Sequence, residues 1–335
     1  MGIKLKDIAD ACGVSEGTAS LAINNRPGVN EETKEYIRRI ARKMGYFPNA
    51  NAKGLAERKT GLIGVLVPNI ENLFYSKLVR NVEEYLRKLN YKMILATTNN
   101  DINYEQEMIE RFISFRVEGA IIYPMIKENP NPDYLKFLDM NDIPFVFIGS
   151  YYNEIKAPCV MSDLYSSLTN AIEYLYHTGC RKFYYLGGCK SIVSNRIKRK
   201  ALRETLQKYN LVFSDRHYLE LRKTNYHYAF KAAEQLMKSK KEVDAILCAD
   251  AYTAIAVYNV IRQYNLEVPT DISIINFDNI LLPEICAVKL TCIEQNVDQL
   301  VEQSIKILQK RMENNSTNSE QILVETKLIV RETTK

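Results

Sequence analysis

The chain has 335 residues, 46% hydrophobic and 25% charged, the balance of a water-soluble globular protein with room for two or three domains. No apolar run is long enough to cross a bilayer, and the opening MGIKLKDIAD lacks an apolar signal core, so a cytoplasmic protein is expected. The net charge of +5 is uneven: residues 1–60 hold eleven Lys and Arg against seven Asp and Glu, whereas 61–335 hold 34 against 33. A small basic module on a near-neutral body points to nucleic acid as a partner.

In chain order, residues 4–12 read as a helix with Leu5, Ile8, Ala9 and Cys12 on one face. Gly13 supplies a tight turn, and Ser15 an N-cap for a second helix ending near Ile23. Asn30 caps a third helix, 31–44, with acids in its first turn and Arg42 and Lys43 in its last, as the helix dipole favours. Its inner face is Ile37, Ile40, Ala41 and Met44. Two short helices joined by a Gly turn and completed by a third describe a helix-turn-helix unit. With Ala19 and Ile23 inward, the second helix presents Ser15, Glu16, Gly17, Thr18, Ser20, Leu21 and Asn24 outward. So small and polar a face fits a major groove. A plain helical hairpin would share the pattern, but the charge asymmetry and the terminal position of the module favour DNA.

Residues 49–58, NANAKGLAER, contain good helix formers but one large apolar residue, Leu55. So short a segment is not a stable helix alone and reads as a linker. From Leu62 onward, apolar strand-like runs appear at 62–68, 92–98, 119–124, 143–149, 158–162, 182–188, 245–250 and 272–278. Amphipathic stretches of helical length, such as 75–90 and 165–177, lie between them. Strands alternating with helices predict an α/β body of two doubly wound parallel sheets with a cleft between them. Ligands in such folds bind at the carboxyl ends of strands. That rule nominates Asn69 to Tyr75, Ser150, Ser162 and Asp163, Gly187 to Cys189, Asp250, and Asp278 with Asn279.

Catalysis and metal binding find no foothold. The seven cysteines include no CxxC pair, and the three histidines form no HExxH and pair with no cysteine at zinc-finger spacing. No P-loop, GxSxG or dinucleotide fingerprint follows a strand. The expectation is no enzyme, no metal and no cofactor.

The stretches KLKDIADACGVSEGTASLAIN (4–24) and VNEETKEYIRRIARKMGYFPNANAKGLAERKTGLIGVLVPN (29–69) resemble the LacI/GalR family of bacterial repressors. The resemblance runs along essentially the whole chain. It implies a helix-turn-helix headpiece at 1–48, a hinge helix at 49–60 and an effector-binding, dimerising core at 61–335. Within the core it implies a first subdomain of about 61–162 and 292–322, and a second of about 163–291 and 323–335. The implied DNA contacts are Lys6, Ser15, Glu16, Gly17, Thr18, Ser20, Leu21, Asn24, Asn30, Asn49, Ala52, Lys53 and Leu55, the last a wedge in the minor groove. Glu16, Gly17 and Leu21 match the base-choosing positions, where the absence of Arg, Gln or His makes direct readout thin.

For the core, the resemblance implies an effector held by Phe74, Tyr75, Ser150, Asp163, Arg196, Asp250 and Asp278. A sugar or sugar phosphate is the first expectation and a nucleobase or nucleoside the second. A carboxylate suits hydroxyl donors, Arg donates in a fork and a ring supplies apolar contact. This chain departs from the family at Gly149, where members often carry an acid, and at Ser162, Ala251 and Cys180. The alternatives are a regulator that has lost effector control and a solute-binding protein without DNA function. The helix expected at 296–313 is followed by no leucine heptads, so a homodimer on a palindromic operator is expected rather than a tetramer. No membrane partner is expected.

Overall fold

The computed structural model describes residues 3–47, 60–125, 131–279, 288–314 and 319–335. The chain forms two compact units, Met1–Thr60 and Gly61–Lys335.

The first unit contains three helices, α1 Leu5–Cys12, α2 Glu16–Ile23 and α3 Glu31–Met44. Gly13 takes the left-handed conformation at φ 67, and its N–H closes the last turn of α1, a conformation that glycine adopts without steric cost. Ser15 caps α2 by accepting from Thr18 N, and Asn30 caps α3 by accepting from Thr33 N. Ile8, Ala22, Ile37 and Ala41 form the core, with Cys12, Val14, Ile23 and Met44 packed around it. Ala9 and Ala19 are also buried, which allows close helix approach. Ala22 is more deeply buried than Ile23, so α2 turns a smaller side chain inward than its pattern predicted.

The second unit contains two six-stranded sheets. The first runs β11-β5-β4-β3-β1-β2, built from β1 Leu62–Val67, β2 Lys92–Thr97, β3 Gly119–Ile122, β4 Phe145–Ile148, β5 Cys159–Ser162 and β11 Gln321–Val324. All its pairings are parallel. The second runs β12-β10-β9-β8-β6-β7, built from β6 Phe183–Gly187, β7 Tyr218–Glu220, β8 Ala245–Cys248, β9 Ser273–Phe277, β10 Thr291–Gln295 and β12 Thr326–Ile329. Only β12 joins antiparallel.

Strands β1, β3, β4 and β5 are apolar and buried along almost their whole length, as strands covered on both faces must be. Helices α4 Leu73–Lys88 and α11 Val297–Asn314 cover one face of the first sheet through Leu78, Val82, Leu300 and Val301. Helix α5 Ile102–Ser114 covers the other through Met108, Ile109 and Phe112. In the second sheet, α7 Leu164–His177 and α8 Val193–Lys208 lie on one face, and α9 Tyr226–Lys238 with α10 Ala251–Gln263 on the other.

The chain passes between sheets later than expected. Residues 292–295, placed with the first subdomain on sequence, belong to β10, which pairs with β9. The crossing therefore follows Gln295. Residues 323 and 324, placed with the second subdomain, complete β11 beside β5. Sheet hydrogen bonding across long sequence separations decides both boundaries, and both strands are no more than five residues long.

Candidate functional site

In the first unit the outward face of α2 is open. Glu16 and Gly17 are exposed, and Thr18, Ser20, Leu21 and Asn24 are half-buried. Several polar groups on this face are already engaged. Ser15 Oγ lies 2.9 Å from Thr18 Oγ1, and Asn24 Nδ2 donates to Ser20 O at 3.0 Å. Asn30 spends its side-chain oxygen on Thr33 N at 2.8 Å. Lys6 is exposed on α1. Asn49, Ala52, Lys53 and Leu55, the hinge residues of the sequence reading, lie outside the described residues. A residue that the sequence reading passed over is Arg38 on α3. Its Nε donates to Ala22 O at 3.0 Å and its Nη2 to Asn25 Oδ1 at 2.6 Å.

In the second unit, strand ends from both sheets bring several of the nominated residues together. Asn72 caps α4 through Phe74 N, which buries Phe74 and Tyr75 at the start of that helix. The two rings meet edge to face at 5.6 Å, and Tyr75 meets Tyr123, beyond the end of β3, at 4.9 Å. Burial raises the Tyr75 phenol well above its ordinary range; Tyr123 adds to this, and Asp278 and Asp250 contribute in turn. Phe74 and Asp278 line one small cavity together with Lys77, Asn279 and Gln295.

Asp278 follows β9 with φ 75 and is 9% exposed. Burial pushes its carboxyl up to about 7, opposed by a hydrogen bond from Gln295 and by the charge of Lys198. Gln295 Nε2 donates to Asp278 Oδ1 at 2.5 Å, and Ser162 Oγ donates to Gln295 Oε1 at 2.6 Å. Ser162, Gln295 and Asp278 thus form a hydrogen-bonded chain from the end of β5 in one sheet to the end of β9 in the other. Asp250 is buried as the N-cap of α10, accepting from Thr253 N at 2.8 Å, and burial raises its carboxyl as well.

The cation in this cluster is not the one expected. Arg196 is exposed, whereas Lys198, one helical face away, is buried. Lys198 Nζ sits 3.8 Å from the centre of the Phe277 ring, a cation–π contact. Burial lowers its ammonium to about 8, with Asp278 and Asp250 pulling the other way. The signal was present in the sequence. Running back at helical spacing from Ala201, Leu202 and Thr205, the inner stripe of α8 reaches Lys198 and misses Arg196.

Ser150 is buried after β4, where its carbonyl accepts from Cys159 Sγ at 3.5 Å. Asp163 is half-buried and caps α7 through Ser166 N at 3.0 Å. Gly149, the departure from the family acid, has φ 75, and a Cβ there would run into the Tyr123 ring. The aromatic cluster occupies the space that a longer residue 149 would need. Among the described residues, no group of three His, Cys, Asp or Glu side chains could hold a metal ion, and no helix is long and apolar enough to cross a membrane.

A helix-turn-helix unit followed by a two-sheet core of this topology defines a transcriptional regulator with a body of the periplasmic-binding-protein type. Residues 4–49 match the bacterial regulatory proteins of the lacI family, and residues 172–334 match a periplasmic binding protein-like domain. The chain is 26% identical over 335 residues to catabolite control protein A of Staphylococcus epidermidis, covering 100% of both. It is also 26% identical to the ribose operon repressor of Halalkalibacterium halodurans, over 99% of this chain and 97% of that one. The lac repressor dimer bound to operator and the anti-inducer ONPF shares the fold with a TM-score of 0.86 at 20% identity, over 100% of this chain and 99% of the other. The chain thus joins a lacI-family DNA-binding region to a periplasmic binding protein-like domain, as in the regulators to which it is similar.

Proposed function

We propose that this protein represses transcription by binding a palindromic operator as a dimer, and that a small polyhydroxylated molecule in the core cleft sets its affinity for that DNA. The observation that carries this reading is the pairing, in one chain, of an open, polar α2 with a core whose strand ends converge on buried Asp250, Asp278 and Lys198. Residues 1–48 are the reading head and 49–60 the hinge, with Leu55 as the minor-groove wedge. Glu16, Gly17 and Leu21 face the bases, while Lys6, Ser15, Thr18, Ser20, Asn24, Asn30, Asn49, Ala52 and Lys53 serve the backbone and the approach.

In the cleft, Asp250 and Asp278 accept from ligand hydroxyls, Lys198 donates to a ligand oxygen, and Phe74 and Tyr75 supply the apolar wall. Ser150, Asp163 and Arg196 border the same strand ends. A sugar or sugar phosphate suits this donor and acceptor set best, and a nucleoside next. A relative at 26% identity is described as a ribose operon repressor, which supports a carbohydrate. Ligand and DNA are linked because a ligand that prefers one angle between the two sheets biases the spacing of paired hinges. Leu95, 37% exposed on the edge strand β2, supports a face available to a second copy.

The test is an anisotropy titration of the full chain against a duplex it has selected from a random pool, with and without ribose, cellobiose, glucose 6-phosphate or adenosine. At least one compound should change the affinity fivefold or more, a typical coupling of about 1 kcal/mol. Asp278→Asn should keep DNA binding and lose the response. Indifference of the DNA affinity to every compound would remove effector control from this reading.

A further inference from the structure

Helix α2 has little of its own to hold it in place. It spans eight residues, includes Gly17, and buries only Ala19 and Ala22. A helix this short is marginal without tertiary support, and glycine weakens it further. Its N-terminal end is secured by Ser15. Its C-terminal end has no basic residue in the last turn and no left-handed glycine cap; Asn24 ends it at φ -88. The turn that follows closes it from within, Asn25 N donating to Ala22 O at 3.3 Å and Arg26 N to Leu21 O at 2.9 Å, but these bonds tie that end to nothing beyond its own segment.

Arg38 ties that end to α3. Its Nε donates to Ala22 O at 3.0 Å, and its Nη2 donates to Asn25 Oδ1 at 2.6 Å. Asn25 is the left-handed residue of the turn that follows, at φ 57, and its own N–H also bonds to Ala22 O. One planar fork therefore grips both the end of α2 and the turn that leaves it. The guanidinium also places positive charge at the negative end of the α2 dipole. Two bonds from a rigid plane fix rotation as well as distance, so Arg38 sets how Glu16, Gly17 and Leu21 are presented.

We propose that Arg38 is a positioning residue for base readout: it holds α2 at the angle from which bases are discriminated, and does so from within the headpiece rather than through a phosphate. The proposal rests on the reading of this unit as a DNA-binding headpiece. Base discrimination depends on placement to a fraction of an ångström, whereas non-specific attraction to phosphates does not. Loss of the clamp should therefore erode specificity and leave background DNA affinity in place.

The experiment uses the full chain, a duplex that the wild type selects from a random pool, and a scrambled duplex of the same length, each titrated at several salt concentrations. Arg38→Ala should lower the ratio of selected to scrambled affinity by about tenfold, with affinity for the scrambled duplex and its salt slope unchanged. Asn25→Gly, which tolerates the left-handed backbone, should show part of the same loss, and the double variant should be no worse than Arg38→Ala alone. Arg38→Lys, which keeps the charge but not the fork, should recover only part of the ratio. Equal weakening on both duplexes with a salt slope shallower by about one would make Arg38 a phosphate contact and overturn the proposal. Equal weakening with an unchanged slope, as a smaller folded fraction would give, would overturn it too, as would an unchanged ratio. A wild type that selects no duplex would remove the DNA-binding reading itself, and the proposal with it.

Discussion

Replacing Asp278 by Asn isolates the charge at the centre of the cleft. Asparagine keeps the shape, tolerates the left-handed backbone at φ 75 and still accepts from Gln295 Nε2 through Oδ1. Burial raises the Asp278 carboxyl from its ordinary 3.8 to about 7 in the folded chain. A difference of about three pH units makes ionisation cost the folded state about 4 kcal/mol. Between those two values the folded protein retains a proton that the unfolded chain has lost. Wild-type stability therefore falls as pH rises, and the loss is complete above about pH 7. The variant has no proton to lose and lacks this slope. The two proteins should match near pH 4 and separate by about 4 kcal/mol at pH 8, or about 8 °C in melting temperature for a unit of this size. Scanning calorimetry from pH 4 to 8 on the full chain reads this directly. Parallel profiles, or a variant less stable than wild type at pH 8, would refute the buried carboxylate. Lys198 supplies the opposite limb: burial lowers its ammonium from 10.5 to about 8, so wild-type stability should recover as pH rises through that interval. Lys198→Met should remove that recovery, read by carrying the calorimetry on from pH 8 to 10.5.

Gly149→Ala combines a left-handed backbone with a collision against the Tyr123 ring. It should cost about 2 kcal/mol or more in urea unfolding, whereas an unchanged midpoint would mean that the aromatic cluster yields freely. Glu105, on α5, is fully buried; its Oε1 accepts from Tyr134 at 2.6 Å and Tyr152 at 2.9 Å, and its Oε2 accepts from Met125 N at 3.2 Å. Met125 N keeps a second acceptor in Tyr152 Oη at 3.0 Å, but Glu105→Ala removes the acceptor of both buried phenols and should cost about 3 kcal/mol; Glu105→Gln keeps an acceptor and should cost about half as much, again by urea unfolding.

The legible parts of the sequence were those where local chemistry and fold agree. Gly13, Ser15 and Asn30 mark the ends of α1 to α3 because a left-handed turn and two side-chain caps leave a direct residue signature. The central strands stand out because both their faces are buried. The short strands β7, β10, β11 and β12 were invisible: they are three to five residues long, their apolar content is mixed, and pairing across long sequence separations defines them. That is why the subdomain boundaries near residues 292 and 323 shifted. In the cleft, the aspartates after β8 and β9 follow from the strand-end rule, but Gln295 does not, because β10 went unrecognised. The run Arg196 to Lys200 offered four cations, and only the register of α8 against the sheet selects Lys198 as the buried one. Arg38 escaped notice for a related reason: its partners lie sixteen and thirteen residues earlier, on another helix and the turn after it.

The most direct measurement is a duplex selection from a random pool, run in parallel with the full chain and with residues 61–335 alone. The account predicts that the full chain enriches an inverted repeat with two half-sites and that the 61–335 fragment enriches nothing. Enrichment by the fragment, or none by the full chain, would contradict it.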